Sequence, residues 1–202
     1  TEHGYVLSSE SCAFDAIKAE FIRDIDPGEM VIIDDRGVRS TIYAEPQKID
    51  KKLCVFEYIY FARSDSKIDG QSVYETRLNM GRELYNETKY DADIVMSIPD
   101  SGTTAALGYA RASGIPFAEG LIKNRYSGRT FIKPNQEERE LAVRMKLNAM
   151  PEVVGGKRIV LIDDSIVRGT TSGLIVKMLK EAGAKEIYMC VSSPAIEYSC
   201  HY

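Results

Sequence analysis

From residue 72 onwards, short apolar segments alternate with amphipathic segments of helical length, and this alternation constrains the fold more than any other feature of the sequence. The predicted elements are helix 72–86, strand 93–98, helix 103–112, strand 115–122, helix 136–147, strand 158–162, helix 172–182 and strand 186–191. Strands that alternate with helices of about 10 to 15 residues form right-handed βαβ crossovers. We therefore predict an α/β fold with a mainly parallel sheet flanked by helices, whose ligands bind beyond the carboxyl ends of the strands.

The first part of the chain has a different pattern, which is typical of a β-rich unit. Strands at 29–33 and 38–43 flank a short turn that contains glycine, and this arrangement predicts a hairpin. A connector rich in charged residues, with one proline, follows at 45–52, and its composition is typical of a domain linker. We predict a boundary near residue 48, which divides the chain into units 1–48 and 49–202.

The charge balance excludes two broad classes of function. The chain has 26 Lys and Arg residues against 30 Asp and Glu residues, which gives a net charge of −4. General nucleic-acid binders and binders of anionic membranes need a broadly positive surface, so neither is an expected partner. No apolar run approaches the roughly 20 residues that span a bilayer, and the charged start has no signal-peptide pattern. We therefore expect a cytoplasmic protein.

The cysteines do not form a recognisable metal or disulfide pattern on their own. They are widely spaced, include no C-x-x-C pair and lie at positions 12, 54, 190 and 200. Buried, reduced thiols are the default expectation for such residues. Both histidines lie next to the chain ends, so the residues alone do not predict a complete metal site within this chain.

A strand, an acidic pair, a loop and a helix follow one another between residues 159 and 182. The buried strand ends in Asp163-Asp164, and a loop rich in Ser, Thr and Gly leads into the helix. Free N–H groups and hydroxyls at a helix N-terminus bind phosphate, whereas carboxylates bind ribose hydroxyls or Mg²⁺. The segment indicates a sugar phosphate with a metal ion. A plain N-cap and a solvated turn are the alternatives; Asp34-Asp35 is interpreted as such a turn because no helix follows it.

Two further segments carry candidate site residues. The loop 99–104, Pro-Asp-Ser-Gly-Thr-Thr, also joins a strand to a helix, so it is either a second anion site or an ordinary turn. Residues 123–146 contain seven Lys and Arg against three Glu, a net charge of +4. This region is either a solvated basic segment, a nucleic-acid site with Tyr126 and Phe131 for stacking, or a mobile lid that neutralises pyrophosphate. The neighbouring phosphate loop favours the lid.

Residues 160–172 read Val-Leu-Ile-Asp-Asp-Ser-Ile-Val-Arg-Gly-Thr-Thr-Ser, and they resemble the phosphoribosyl-pyrophosphate (PRPP) motif of the type I phosphoribosyltransferase family, in the form found in its glutamine amidotransferase branch. Residues 99–104 resemble the pyrophosphate loop of that family, and residues 123–132 resemble its flexible catalytic loop. The resemblance implies a type I phosphoribosyltransferase fold after residue 48. It also implies that residues 1–48 are the tail of an N-terminal-nucleophile glutaminase domain.

The resemblance also implies residue roles. Asp163 and Asp164 would bind the ribose hydroxyls and Mg²⁺, with Ser101 near the metal. The remaining substrate-binding residues, which would hold the 5-phosphate and the pyrophosphate, are Asp100, Gly102, Ser165, Arg168, Gly169, Thr170 and Thr171. The catalytic residues on the flexible loop would be Lys123, Arg125, Tyr126 and Arg129.

The implied reaction is the first step of purine biosynthesis. Ammonia, released from glutamine in the full-length enzyme, displaces pyrophosphate from C1 of PRPP and gives 5-phosphoribosylamine. Purine nucleotides are implied as inhibitors and a homo-oligomer as the assembly. Two alternatives stay open: a non-catalytic module of the same fold that senses PRPP or nucleotides, and an iron-sulfur redox protein.

The ends of the chain and two of its cysteines bear on the iron-sulfur question. The glutaminase nucleophile of this branch is an N-terminal cysteine, whereas residue 1 here is Thr. Cys54 and Cys200 match two of the four ligand positions of the [4Fe-4S] cluster found in one subgroup. We therefore expect an internal piece of a longer enzyme, which does not assemble an intact cluster by itself.

Overall fold

A computed structural model describes residues 4–126, 141, 143–167 and 169–200 of the chain. The chain divides into two compact units, Thr1–Val73 and Tyr74–Tyr202. The domain boundary near residue 48 falls inside the first unit and stays a prediction. No helix within the described ranges is long and apolar enough to cross a membrane.

The first unit is built around the predicted hairpin. Strands β1 (Glu29–Asp34) and β2 (Gly37–Ile42) pair in antiparallel fashion, with Glu29 opposite Ile42 and Asp34 opposite Gly37. Gly37 has φ +103°, a turn conformation that residues with a side chain rarely adopt. The other elements are helix α1 (Cys12–Ala16), a 3₁₀ turn (Pro46–Lys48), a π-helical turn (Glu57–Phe61) and the short antiparallel strands β3 (Lys67–Ile68) and β4 (Gln71–Ser72).

The second unit contains the predicted parallel sheet. Its three strands, in the spatial order β5-β8-β9, are Ile94–Ser97, Arg158–Asp163 and Glu186–Val191. Both pairings are parallel, so the carboxyl ends of all three strands lie at one edge of the sheet. The remaining elements are helix α2 (Val73–Glu87), helix α3 (Thr103–Ser113), strand β6 (Leu121–Lys123), strand β7 (Leu147–Ala149), helix α4 (Pro151–Val154) and helix α5 (Thr170–Glu181).

The central strand β8 has a core on each of its two faces because successive side chains of a strand point in opposite directions. Ile159 and Leu161 lie in one cluster with apolar side chains of α5, including Leu179. Val160 and Ile162 lie in the other cluster with side chains of α3, including the fully buried Tyr109. These four of the six β8 side chains have no exposed surface, which explains why this segment reads as a continuous apolar run.

Helices α2 and α3 approach each other so closely that two glycines are required. A Cβ atom on Gly81 would lie 1.8 Å from the carbonyl oxygen of Ala105, and a Cβ on Gly108 would lie 2.1 Å from that of Leu78. The contact is therefore backbone against backbone. It fixes α3, whose N-terminus follows the loop after β5.

Two predicted elements differ from the observed ones. The strand predicted at 115–122 is reduced to one parallel bridge between Phe117 and Val95, and its end forms β6, which pairs with β7 in antiparallel fashion. Hydrogen bonds of 2.9 Å from Val95 N to Pro116 O and from Ala118 N to Val95 O hold this bridge, and Pro116, which has no N–H, cannot extend it towards residue 115. The helix predicted at 136–147 ends earlier than expected, because Leu147 is buried and belongs to β7, opposite Lys123. Residues 136–140 lie outside the described part of the chain.

Candidate ligand site at the carboxyl edge of the parallel sheet

Two loops meet where β5 and β8 end. Ser97 lies opposite Ile162 in the parallel register, so the loop after β5 and the acidic pair after β8 leave the sheet side by side. A Cβ atom on Gly102 would lie 2.6 Å from the carbonyl oxygen of Ile162 and 3.1 Å from the Cα of Asp163. Any side chain at Gly102 would therefore push the two loops apart.

Asp164 is the residue that joins these loops. Its side chain is almost completely buried, and its Oδ2 accepts a hydrogen bond from the hydroxyl of Ser101. Its Oδ1 accepts a second hydrogen bond from the Ser165 hydroxyl at 2.5 Å. The backbone N–H of Ser193, just after β9, donates to the Asp164 carbonyl at 2.9 Å. Two serine hydroxyls thus orient the carboxylate of Asp164, and the segment after β9 holds its backbone.

Asp163 has a different environment, in which it holds its proton more tightly. Burial, and then the neighbouring charge of Asp164, raise the pKa of Asp163 from its ordinary value of 3.8 to about 6. A hydrogen bond of 2.9 Å from the Asp164 N–H to Asp163 Oδ1 acts in the opposite direction and is the smallest of the three effects. A cation or a set of hydroxyl donors placed here would relieve the unfavourable burial of this charge.

The loop after the acidic pair ends at the N-terminus of a long helix. Gly169 takes a left-handed conformation with φ +69°, directly before α5, and no side chain among the described residues caps the helix. The N–H groups of the first turn are therefore available to an anion. The side chains of Thr170 and Thr171 are exposed beside them. Arg168, which the sequence predicts to act here, lies outside the described residues.

The first two basic residues predicted as catalytic lie at the end of strand β6 and just after it. Lys123 ends strand β6, and its ammonium group forms an ion pair with the carboxylate of Asp100. Arg125 and Tyr126 follow and are exposed, with Tyr126 at 99%. Arg129 lies outside the described part of the chain. The structure thus brings Lys123 to the loop after β5, and it leaves Arg125 and Tyr126 open to solvent.

Several supporting residues were not predicted from the sequence. Asn124 N donates to Lys146 O at 2.7 Å, Asn124 Nδ2 donates to Met145 O at 3.2 Å, and Asn124 Oδ1 accepts from Tyr126 N at 3.0 Å. Nothing in the local sequence distinguishes this asparagine from a surface residue. The contact of Ser193 could have been anticipated, because the strand 186–191 ends at the same edge of the sheet as the acidic pair.

The four cysteines of the chain lie in different environments. Cys54 and Cys200 are both exposed and belong to different units, whereas Cys12 and Cys190 are buried. Burial raises the pKa of the Cys190 thiol to about 11, so this residue is a poor metal ligand. Within the described ranges, no group of three or more His, Cys, Asp or Glu side chains could hold a metal ion. The assignment of Cys54 and Cys200 as two of four cluster ligands therefore stays a prediction for the longer enzyme.

Comparisons with known proteins show which family the chain is similar to. Residues 80–196 match the family described as phosphoribosyl transferase domain. Amidophosphoribosyltransferase from Synechococcus elongatus is 56% identical over 199 residues, which are 98% of this chain and 40% of that protein. The amidophosphoribosyltransferase of Bacillus subtilis is 54% identical over 198 residues, 98% of this chain and 41% of that protein. The chain thus spans about two fifths of the length of these curated relatives.

A solved structure extends the comparison to three dimensions. Glutamine PRPP amidotransferase from B. subtilis, complexed with ADP and GMP, matches with a TM-score of 0.87 and 54% identity. The match covers 95% of this chain and 42% of that one. The similarity in fold and sequence thus extends over nearly the whole of this chain.

Proposed function

We propose, from the premise that this chain belongs to the phosphoribosyltransferase family, that it carries the PRPP site of an amidophosphoribosyltransferase. The reaction is displacement of pyrophosphate from C1 of PRPP by ammonia, which gives 5-phosphoribosylamine. The observation that carries the proposal is the hydrogen bond between Ser101 and Asp164, because it joins the two loops that resemble the pyrophosphate loop and the PRPP motif.

Each part of PRPP has a chemically suitable partner in this arrangement. The uncapped N-terminus of α5, with Thr170 and Thr171, suits the 5-phosphate. The acidic pair Asp163 and Asp164 suits the ribose hydroxyls, which donate hydrogen bonds to carboxylates. The loop of Asp100, Ser101 and Gly102 lies beside that pair and would bind the pyrophosphate.

The donor set also fits Mg²⁺. Mg²⁺ is usually held by one or two carboxylates together with waters and substrate phosphate oxygens, and Asp163 and Asp164 supply two carboxylates, with the Ser101 hydroxyl next to them. The ion would neutralise negative charge on the leaving pyrophosphate. Binding of a cation also explains how a site with two adjacent carboxylates accepts an anionic substrate.

The protein groups act by positioning and by charge. Displacement at a sugar C1 passes through a state with cationic character at the ring, so no protein nucleophile is needed. Lys123 and Arg125 lie on the loop next to Asp100 and would stabilise the charge that develops on pyrophosphate. Arg129 and Tyr126 belong to the same predicted loop and share this role in the proposal.

The proposal for the longer enzyme includes parts that this chain does not hold. Glutamine is the source of ammonia there, purine nucleotides inhibit, and the assembly is a homo-oligomer in the cytoplasm. The B. subtilis relative is complexed with ADP and GMP, which supports nucleotide binding as part of the proposal. A [4Fe-4S] cluster would need cysteine ligands in addition to Cys54 and Cys200.

The test is release of pyrophosphate from PRPP by this chain in the presence of Mg²⁺ and ammonium. We expect turnover that requires both, and a loss of about 100-fold in Lys123→Ala, the size seen when one charge-stabilising group is removed. Lys185→Ala is the matched control, because Lys185 is an exposed lysine just before the amino end of β9. Binding of PRPP without any turnover would favour a sensing module instead. Failure to bind PRPP would refute both functions.

A further inference from the structure

Asp100 is a carboxylate in a loop that, under the proposed function, binds the multiply charged pyrophosphate. A carboxylate repels phosphate oxygens, so its presence in this loop needs an explanation of its own. The explanation available in the structure is Lys123, whose ammonium group is paired with Asp100 Oδ2. The two side chains come from different loops, one after β5 and one at the end of β6.

The pair is open to solvent and therefore easily exchanged. The Asp100 side chain is 77% exposed and that of Lys123 is 50% exposed. Exposed ion pairs of this kind are weak, so a multiply charged ligand competes for the lysine effectively. Ser101, the next residue, is anchored to the buried Asp164, so the loop that carries Asp100 stays in place when the pair is broken.

We propose that Asp100 is a positioning residue, which holds the Lys123 ammonium group beside the pyrophosphate loop while no ligand is bound and releases it to the pyrophosphate. The carboxylate of Asp100 thus takes the place of a ligand oxygen. The inference rests on the proposed function, because it assumes that pyrophosphate binds beside Asp100. Breaking the ion pair between Asp100 and Lys123 then costs free energy, and this cost lowers the affinity of the site for pyrophosphate.

This role predicts an effect whose sign is unusual for a residue of a binding loop. Asp100→Asn keeps the shape of the side chain, frees Lys123 and removes a repulsive charge. The substituted chain should therefore bind Mg²⁺-pyrophosphate more tightly, by about 2- to 10-fold at low ionic strength. Two alternative roles of Asp100 predict different results. If its carboxylate helps to hold Mg²⁺, the substitution weakens binding of Mg²⁺-pyrophosphate. If the ion pair has no role, the affinity does not change.

The experiment is isothermal titration of the full chain with Mg²⁺-pyrophosphate, at low salt and again at about 0.5 M salt, where screening shortens the range of charge interactions. Asp100→Asn is compared with Asp91→Asn. The Asp91 carboxylate also forms an ion pair, with Arg158, but it lies before the amino end of β5. We expect tighter binding only for Asp100→Asn, and a smaller gain at high salt. The gain should also shrink in a Lys123→Gln background, in which no ammonium group is left to release.

The outcomes separate this inference from the proposed function. If the unsubstituted chain binds Mg²⁺-pyrophosphate and Asp100→Asn binds it equally or more weakly, the positioning role is overturned and the site remains. A gain of equal size with Asp91→Asn would also overturn it, because a general charge effect would then suffice. If the unsubstituted chain binds no pyrophosphate, the proposed function fails and the inference fails with it.

Discussion

The contact between α2 and α3 allows a prediction in which a single methyl group has a calculable effect. Gly81→Ala places a Cβ 1.8 Å from the carbonyl oxygen of Ala105, where real Cβ contacts are essentially never shorter than 3.0 Å. The backbones must therefore separate by at least 1.2 Å at this point. The obstacle is backbone on both sides, so no rotamer change relieves it.

The magnitude follows from two opposing terms. Alanine in a helix interior is favoured over glycine by about 1 kcal/mol. Overpacking in a well-packed core costs about 1–3 kcal/mol and occasionally more, and a clash between two backbones belongs at the upper end of that range. We expect Gly81→Ala to destabilise the chain by about 2 kcal/mol or more, with a melting temperature lower by roughly 4–8 °C.

The matched control is Gly173→Ala. Gly173 also lies inside a helix, α5, but a Cβ there meets nothing within 4 Å. The helical preference then acts alone, and the substitution should stabilise the chain by up to about 1 kcal/mol. Urea unfolding monitored by circular dichroism at 222 nm measures the free energy of unfolding of both variants. If the two variants change stability equally, the close approach of α2 and α3 is refuted.

Three further predictions concern the site and its supports. Gly102→Ala, with its Cβ 2.6 Å from Ile162 O, should weaken PRPP binding at least 10-fold, because about 1.4 kcal/mol of overpacking suffices for that loss; titration of the variant checks this, and unchanged affinity would contradict it. The pKa of Asp163 is raised to about 6, so Mg²⁺-dependent PRPP binding should weaken as the pH falls from 7.5 to 5.5 and the carboxylate is protonated; a flat profile would be inconsistent with that environment. Arg158 lowers the pKa of Asp93 from 3.8 to about 2 through hydrogen bonds, so the ionised Asp93 contributes stability above its unfolded pKa that is lost as the pH falls towards 2. Asp93→Asn should therefore flatten the decline of melting temperature below pH 4, and an unaltered decline would argue against the pairing.

The sequence predicted most of the sheet and both of its loops, for identifiable reasons. The strand 158–162 is flanked by both cores, and its uninterrupted apolar run made it easy to recognise. The hairpin of β1 and β2 followed from its turn residues. The loops were predicted because ligands of a parallel sheet bind beyond the carboxyl ends of its strands, whereas a position of Ser101 near the metal was implied by the resemblance.

What could not be predicted depends on tertiary contacts. The apolar residues of 115–122 fit a strand equally well in a parallel or an antiparallel pair, and only the partner β7 decides between them. The glycines at 81 and 108 look like weak points in a helical pattern, because the sequence does not show which backbone approaches them. Neither the bonds of Asn124 nor the pair of Asp100 with Lys123 has a local signature.

The central claim is that the acidic pair after β8 forms the PRPP site, and the most direct test is titration of the chain with PRPP in the presence of Mg²⁺. The variant Asp163→Asn with Asp164→Asn is compared with Asp34→Asn and Asp35→Asn, which alters a similar acidic pair at the exposed end of β1. We predict Mg²⁺-dependent binding of one PRPP per chain, lost at least 10-fold in the first variant, since two ligand carboxylates are removed, and retained in the second. Binding that survives the loss of Asp163 and Asp164, or that falls equally in both variants, would contradict the account.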